Sequence, residues 1–150
     1  MKFSKYLFDN FFSSVTLFGT PAFYIAVVLL LIKINLSSAA KLIIALVAAE
    51  AVCGLIKFAY PKQRPIPRRN KRFFERYDAS SFPSIHTARI TTLAVMVDSF
   101  YNDALLLFAS TAIVIFVGYS RIYLKHHYFK DVAGGFIIGA IISLVVNLAI

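Results

Sequence analysis

The chain is 150 residues long, 59% of them hydrophobic and 15% charged, against roughly 25% charged in an ordinary soluble domain. The remaining charge is one-sided, with 16 Lys and Arg against 7 Asp and Glu and a formal net charge of +9. A soluble domain this apolar could not cover its own surface, a disordered tail has the opposite composition, and a soluble nucleic-acid binder would be far more polar. The composition therefore implies a small integral membrane protein whose positive charge is gathered in one place.

Residues Met1 to Phe18 come first. Phe3, Tyr6, Leu7, Phe8, Phe11, Phe12, Val15 and Phe18 alternate with Lys2, Lys5, Asp9 and Asn10, the pattern of an interfacial amphipathic helix. Lys2 and Lys5 ahead of an apolar stretch, with small residues Ser37 to Ala40 behind it, imitate a signal peptide. A Phe-rich stretch separates those charges from the apolar core, so the segment reads as retained. A bilayer core of about 30 Å needs roughly 20 apolar helical residues, and five runs approach this: Leu17 to Leu36, Ala39 to Ala59, Thr87 to Phe100, Ala104 to Tyr119 and Val132 to Ile150. The expected fold is all-α, a single membrane-embedded domain over 1–150 with about five spans.

The connections differ in kind. Leu36 to Ala39 and Tyr101 to Ala104 leave room for little more than a turn. Tyr60 to Ser84 is the long polar loop. Its Pro61, Pro65 and Pro67 oppose helix, and it holds Lys62, Arg64, Arg68, Arg69, Lys71, Arg72 and Arg76. Ser120 to Asp131 is a second basic stretch. With five spans, the N-terminus and these two loops share one face. Only Lys33 and Lys41 fall on the other, which leaves fourteen of the sixteen cations on the first.

Three clusters lie at the membrane boundary on that face: Lys57 with Arg64-Pro65, then Pro83-Ser84-Ile85-His86, then Ser120-Arg121 with His127 and Asp131. Arginine offers a planar fork to phosphate oxygens and lysine a point charge, so Lys57, Arg64 and Arg121 form an anion cradle. Ser84 adds a hydroxyl at the start of a helix, where free N–H groups attract anions. His127 and Asp131 are four residues apart and share a face if the turn is helical. A carboxylate on one ring nitrogen leaves the other free to attack. His86 is a second imidazole, suited to protonate a leaving oxygen.

These clusters resemble the three motifs of the type 2 phosphatidic acid phosphatase superfamily of membrane lipid phosphatases, which includes the vanadium haloperoxidases. Lys57 and Arg64-Pro65 match the first, Lys, six residues, Arg-Pro. Ser120-Arg121, His127 and Asp131 match the third, Ser-Arg, five residues, His, three residues, Asp. Pro83-Ser84-Ile85-His86 matches the second, Pro-Ser-Gly-His, at three of four positions. The resemblance spans Lys57 to Asp131, half the chain. It implies that Lys57, Arg64, Ser84, the Ile85 N–H and Arg121 bind phosphate, that His127 forms a phosphohistidine, that Asp131 orients it and that His86 is the acid. It implies no cofactor and no metal, the cations taking the part magnesium often plays in phosphoryl transfer. Ile85 replaces the family's Gly, and a β-branched residue is nearly barred from positive φ.

The implied partner is a phosphorylated membrane lipid within the bilayer, with no nucleic acid, and a monomer is favoured. Lipid A 1-phosphate, undecaprenyl diphosphate, phosphatidylglycerol phosphate and phosphatidic acid are the candidates. The competing reading is a non-catalytic membrane protein that binds anionic lipid or transports an anion. Counting positive charge puts the site in the cytoplasm. The resemblance to bacterial enzymes of the inner membrane puts it on the periplasmic side, which is favoured because several of those cations bind phosphate.

Smaller features carry expectations of their own. Glu50, mid-span and seven residues before Lys57, reads as an interhelical hydrogen-bond partner. Arg89 either snorkels or extends the anion pocket. His126 reads as facing solvent or headgroups. Arg68, Arg69, Lys71 and Arg72 read as a headgroup-solvated run, with recruitment of anionic lipid as the functional version. Cys53 reads as a small buried hydrophobe, and Gly135 with Gly139 as close helix packing within the monomer.

Overall fold

A computed structural model describes residues 2–68 and 73–150, with the side chains of all of these except Lys2, Phe73, Phe74 and Arg76. Arg69, Lys71 and Arg72 of the basic run therefore lie outside the described residues. The architecture is all-α: α1 (Lys2–Val15), a 3-10 turn (Thr16–Gly19), α2 (Pro21–Ile34), α3 (Leu36–Ala59), α4 (Phe73–Ala79), α5 (Ile85–Tyr101), α6 (Ala104–Tyr123) and α7 (Phe129–Ala149).

The breaks follow from local chemistry. Pro21 stands at the first helical position of α2, where its missing N–H costs nothing. Asn35 alone separates α2 from α3, and its side chain accepts from the Ser38 N–H at 3.0 Å, an N-cap. Asn102 ends α5 in the left-handed region at φ 48°, which asparagine tolerates. Asp103 then caps α6 by accepting from the Leu106 N–H at 2.8 Å.

Among the described residues, α3, α6 and α7 are long and apolar enough to cross a bilayer. The expected first span differs. It begins at Pro21 instead of Leu17, and at 14 residues α2 rises only about 21 Å. Together with the helix before it, bent by 48°, it can supply one further span. The third expected span is α5, 17 residues and about 25 Å. It is the central helix and packs on α3, α6, α7 and the 3-10 turn.

The core lies between α5 and its neighbours. Leu42, Ala45, Leu46, Ile90, Leu93, Met96, Val114 and Val117 are buried there. Helix α7 approaches the backbone of α5 closely at two glycines. A β-carbon on Gly139 would stand 2.6 Å from the Ala88 carbonyl oxygen, and one on Gly135 would fall on that of Ser84. The glycine pair thus packs within the monomer, as expected. Cys53 is fully buried. Helix α1 exposes Phe3, Tyr6, Leu7, Phe8 and Phe11 and buries Phe12, which packs on Tyr119 and Tyr123 of α6.

Glu50 binds between helices, as expected. It accepts a fork from Arg89, both bonds 2.7 Å, and a third bond from Tyr77 of α4 at 2.8 Å. Arg89 does neither of the things expected of it. Its guanidinium pairs with Glu50 and stacks over Tyr24 of α2, away from the phosphate cradle. The pair keeps an intramembrane carboxylate and a buried guanidinium satisfied, which is the condition for placing either there.

Candidate active site

Helix ends bring the three clusters together. The C-terminus of α3 carries Lys57, the N-terminus of α5 carries Ser84, Ile85 and His86, and the C-terminus of α6 carries Arg121. The Arg121 carbonyl accepts from the N–H groups of both His126 and His127 at 3.0 Å, so the chain folds back and sets His127 beside Arg121. Asp131 opens α7 in a capping box with Tyr128, its carboxylate accepting from the Tyr128 N–H at 2.9 Å. A carboxylate at this position also meets the positive end of the helix dipole. The Ser84 N–H donates to the Asp131 carbonyl at 2.9 Å, which ties the second cluster to the third.

Lys57, Arg64, Ile85, His86, Arg121 and His127 line one cavity of about 210 Å³. Arg64 comes from the Tyr60–Ser84 loop. Its Nε donates to the Asp78 carbonyl at 2.8 Å, and its Nη1 to the His126 carbonyl and to His127 Nε2, each at 3.2 Å. Lys57 Nζ donates to the Ser80 carbonyl at 2.5 Å. Arg121 is 4% exposed. Its Nη1 reaches Thr16 Oγ1 at 3.4 Å, and its buried Nε has no partner among the described residues. A larger cavity of about 480 Å³ adjoins, sharing Lys57, Arg64 and Arg68 and adding Lys62 and Gln63.

His127 is 2% exposed. Its Nδ1 lies 2.6 Å from the Ser81 carbonyl, which can only accept, so Nδ1 carries the proton and Nε2 the lone pair. Burial, with Arg64, Arg121 and Lys57 beside it, holds this imidazole far below the ordinary histidine range, hence neutral. Burial also lowers Arg64, with Arg68 adding to the effect.

The structure corrects four expectations. His127 precedes α7 instead of lying on it, so His127 and Asp131 share no helical face and stand 3.9 Å apart. The Ser81 carbonyl orients the ring. Asp131 instead pairs with Lys62 at 2.5 Å, whose ammonium also lies over the rings of Phe82 and Tyr128. Ser84 is fully buried behind the cavity, and its hydroxyl accepts from Thr87 at 3.0 Å. His126 lines the cavity beside His127, its Nδ1 3.0 Å from Arg68, which also binds Asp78 at 2.5 Å. Burial, then Arg121 and Arg68, lowers His126 to about 4.

Ile85 raises no backbone conflict. It is the first residue of α5, and among the described residues the positive-φ positions other than glycine are Asn102 and Lys125. Its N–H stays available at the helix N-terminus. Lys62, Tyr77 and the Ser81 carbonyl were missed from sequence. Lys62, two residues before Arg64, left a signal; a backbone carbonyl leaves none.

Comparison with known proteins bears on this geometry. A search of curated protein sequences finds no match. LpxE of Aquifex aeolicus superposes with a TM-score of 0.81 at 23% identity, over 95% of this chain and 86% of that one. A transmembrane PAP2-type phosphatidylglycerolphosphate phosphatase from Bacillus subtilis superposes with a TM-score of 0.79 at 18% identity, over 95% and 76%. At these identities the likeness establishes the fold. Residues 38–150 match the family model of the PAP2 superfamily, three-quarters of the chain and all three clusters, and the chain belongs to that superfamily of membrane lipid phosphatases.

Proposed function

We propose that the chain hydrolyses a lipid phosphate monoester or diphosphate through a phosphohistidine on His127. The observation that carries this reading is the 210 Å³ cavity, lined by a neutral imidazole whose unprotonated Nε2 accepts from Arg64 and by Arg121, whose Nε has no partner among the described residues. A buried guanidinium nitrogen without a partner is costly, and a phosphate oxygen satisfies it.

Phosphate enters between Lys57, Arg64 and Arg121, with the Ile85 N–H at the head of α5. Arg64 then turns its Nη1 from His127 to a phosphate oxygen and uncovers the Nε2 lone pair. Nε2 attacks phosphorus, the P–N bond forms and the P–O bond to the leaving group breaks. His86, which takes up a proton once the phosphate dianion sits beside it, gives that proton to the oxygen and becomes neutral. Water next attacks phosphorus with His86 taking its proton, the P–N bond breaks, and inorganic phosphate and neutral His127 result. The Ser81 carbonyl holds the Nδ1 proton throughout. Asp131 acts at longer range, its charge shared with Lys62, and Ser84 fixes the start of α5. The cations carry the charge compensation, so the reaction needs no metal.

The substrate is a lipid whose tail stays in the bilayer. Lipid A 1-phosphate, undecaprenyl diphosphate, phosphatidylglycerol phosphate and phosphatidic acid all present the required group, and the Bacillus subtilis neighbour is named for the third. The reading places a single-domain monomer in the bacterial inner membrane with its site on the periplasmic side; a C-terminal reporter, opposite the site, should then give a cytoplasmic signal. Phosphate release from these four lipids by wild type and His127→Ala tests the function. Release by wild type alone is expected. Equal release by both, or none by either, favours the anion-binding alternative.

A further inference from the structure

The 3-10 turn Thr16–Gly19 lies outside the matched residues 38–150, yet it touches two side chains of the site. Thr16 Oγ1 is 2.8 Å from Ser120 Oγ and accepts from Arg121 Nη1 at 3.4 Å. Gly19 is buried against His86. A β-carbon there would stand 2.8 Å from His86 Cβ, 3.0 Å from its Cδ2 and 3.1 Å from its carbonyl oxygen. No glycine in the described chain has positive φ, so space, and not backbone conformation, requires glycine at this point. The turn is held from outside as well. Phe12 packs on Tyr119 and Tyr123, and Tyr123 donates to Asp9 at 2.9 Å.

We infer that this turn positions the site: Gly19 sets the His86 imidazole and Thr16 the Arg121 guanidinium. Both are positioning residues and act through the groups they touch. The inference rests on the phosphatase reading, in which His86 protonates the leaving oxygen. An added β-carbon has no flexible chain end to push aside, because it meets Cβ of His86 one bond from the α5 backbone. Either the imidazole rotates or the turn lifts, and the acid leaves its place. An alkoxide needs that proton to depart and a phenoxide does not. Displacing the acid therefore slows alkyl phosphates and spares aryl ones, whereas general loss of structure slows both.

The test uses the full chain in detergent with dodecyl phosphate and 4-dodecylphenyl phosphate. Gly19→Ala should lower kcat on the alkyl substrate by about tenfold or more, at the low end of what general acids contribute, with little change on the aryl one. Thr16→Val should raise KM on both substrates by about threefold or more as one anchor of Arg121 is lost, and Thr16→Ser, which keeps the hydroxyl, should restore it. Equal loss on both substrates by Gly19→Ala, or no loss on either, overturns the role of Gly19. If Gly19→Ala does not fold, the threonine pair decides, and an unchanged KM in Thr16→Val overturns the inference. A wild type that releases no phosphate from either compound overturns the phosphatase reading and this inference with it. An active wild type with unaffected variants overturns this inference alone.

Discussion

Replacing Gly135 by alanine drives a methyl group into the place where two parts of the site are joined. The new β-carbon falls on the Ser84 carbonyl oxygen, 3.1 Å from Thr87 Cβ and 3.2 Å from the Ala88 nitrogen. Carbon atoms sit comfortably at about 3.5–4.0 Å, so α7 and α5 must part by about 1 Å. Overpacking of this size costs about 1–3 kcal/mol of stability. The separation also stretches the bond from the Ser84 N–H to the Asp131 carbonyl, moving His86 relative to His127. A misplacement of about 1 Å costs on the order of 10²-fold in rate. Gly139→Ala is the control. Its β-carbon would meet the Ala88 oxygen at 2.6 Å and Thr91 Cβ at 2.9 Å, a comparable clash one turn further from the chemistry. Thermal unfolding in detergent and initial rates of phosphate release, both measured well below the transition, separate the effects. Similar losses of stability are expected, with about 10² lost in kcat by Gly135→Ala and less than about tenfold by Gly139→Ala. Equal rate losses at equal stability would refute the argument that Gly135 holds the two clusters in register.

Further outcomes follow from the same geometry. Glu50→Gln leaves Arg89, 11% exposed in its side chain, without its counter-charge; the loss should be roughly 2 kcal/mol, below the 3–5 of a fully buried pair because Glu50 is 37% exposed. Measured unfolding of Glu50→Gln, Arg89→Met and the double variant gives the coupling, and additive losses would deny the pair. Asp131→Asn should keep phosphoenzyme formation measurable, with a loss well short of the about 10⁴-fold seen where a carboxylate alone sets the tautomer. Acid-quench trapping of phosphohistidine reads this. His127 and His126 are both lowered in the fold; the unfolded chain takes up their protons below about pH 6.5 while the folded one does not. Stability is therefore full above that pH and falls on acidification, by on the order of 1 kcal/mol per pH unit for buried His127 and by less for the more open, solvent-screened His126. A wild-type slope no steeper than that of His127→Asn between pH 6.5 and 5 would contradict it.

The sequence carried the helices and the membership of the cavity because both depend on spacing. Apolar runs set α3, α6 and α7, and Lys57, Arg64, His86, Arg121 and His127 sit at helix ends or in the loops beside them, where the chain must leave the membrane. The first span was misjudged because Leu17 and Phe18 are as apolar as the helix that follows, and only Thr20-Pro21 marks the break. The orientation of His127 was not legible, since its partner is the Ser81 carbonyl and any residue could supply one. Nor was the role of Arg89. Its charge at the membrane edge fits snorkelling and phosphate binding equally, but Glu50 lies 39 positions away in the chain and only packing of α3 on α5 brings them together.

Asp131 shows why a site of this kind tolerates drift elsewhere in the chain. Its carboxylate caps α7 through the Tyr128 N–H, its carbonyl holds the Ser84 N–H at the start of α5, and its second oxygen binds Lys62 of the polar loop. One residue thus joins a helix start, a second helix start and the loop that supplies Arg64. Cutting any of these ties leaves buried polar groups unpaired, at about 1–3 kcal/mol each, and also shifts a group that faces the phosphate cavity. The lipid-facing surface has no such double duty, because one apolar side chain there serves as well as another. Identity to the two similar structures can therefore fall to 23% and 18% while the fold is kept. The net charge of +9 belongs to the same division: Lys33 and Lys41 flank the break at Asn35, whereas Lys57, Arg64 and Arg121 converge on one cavity.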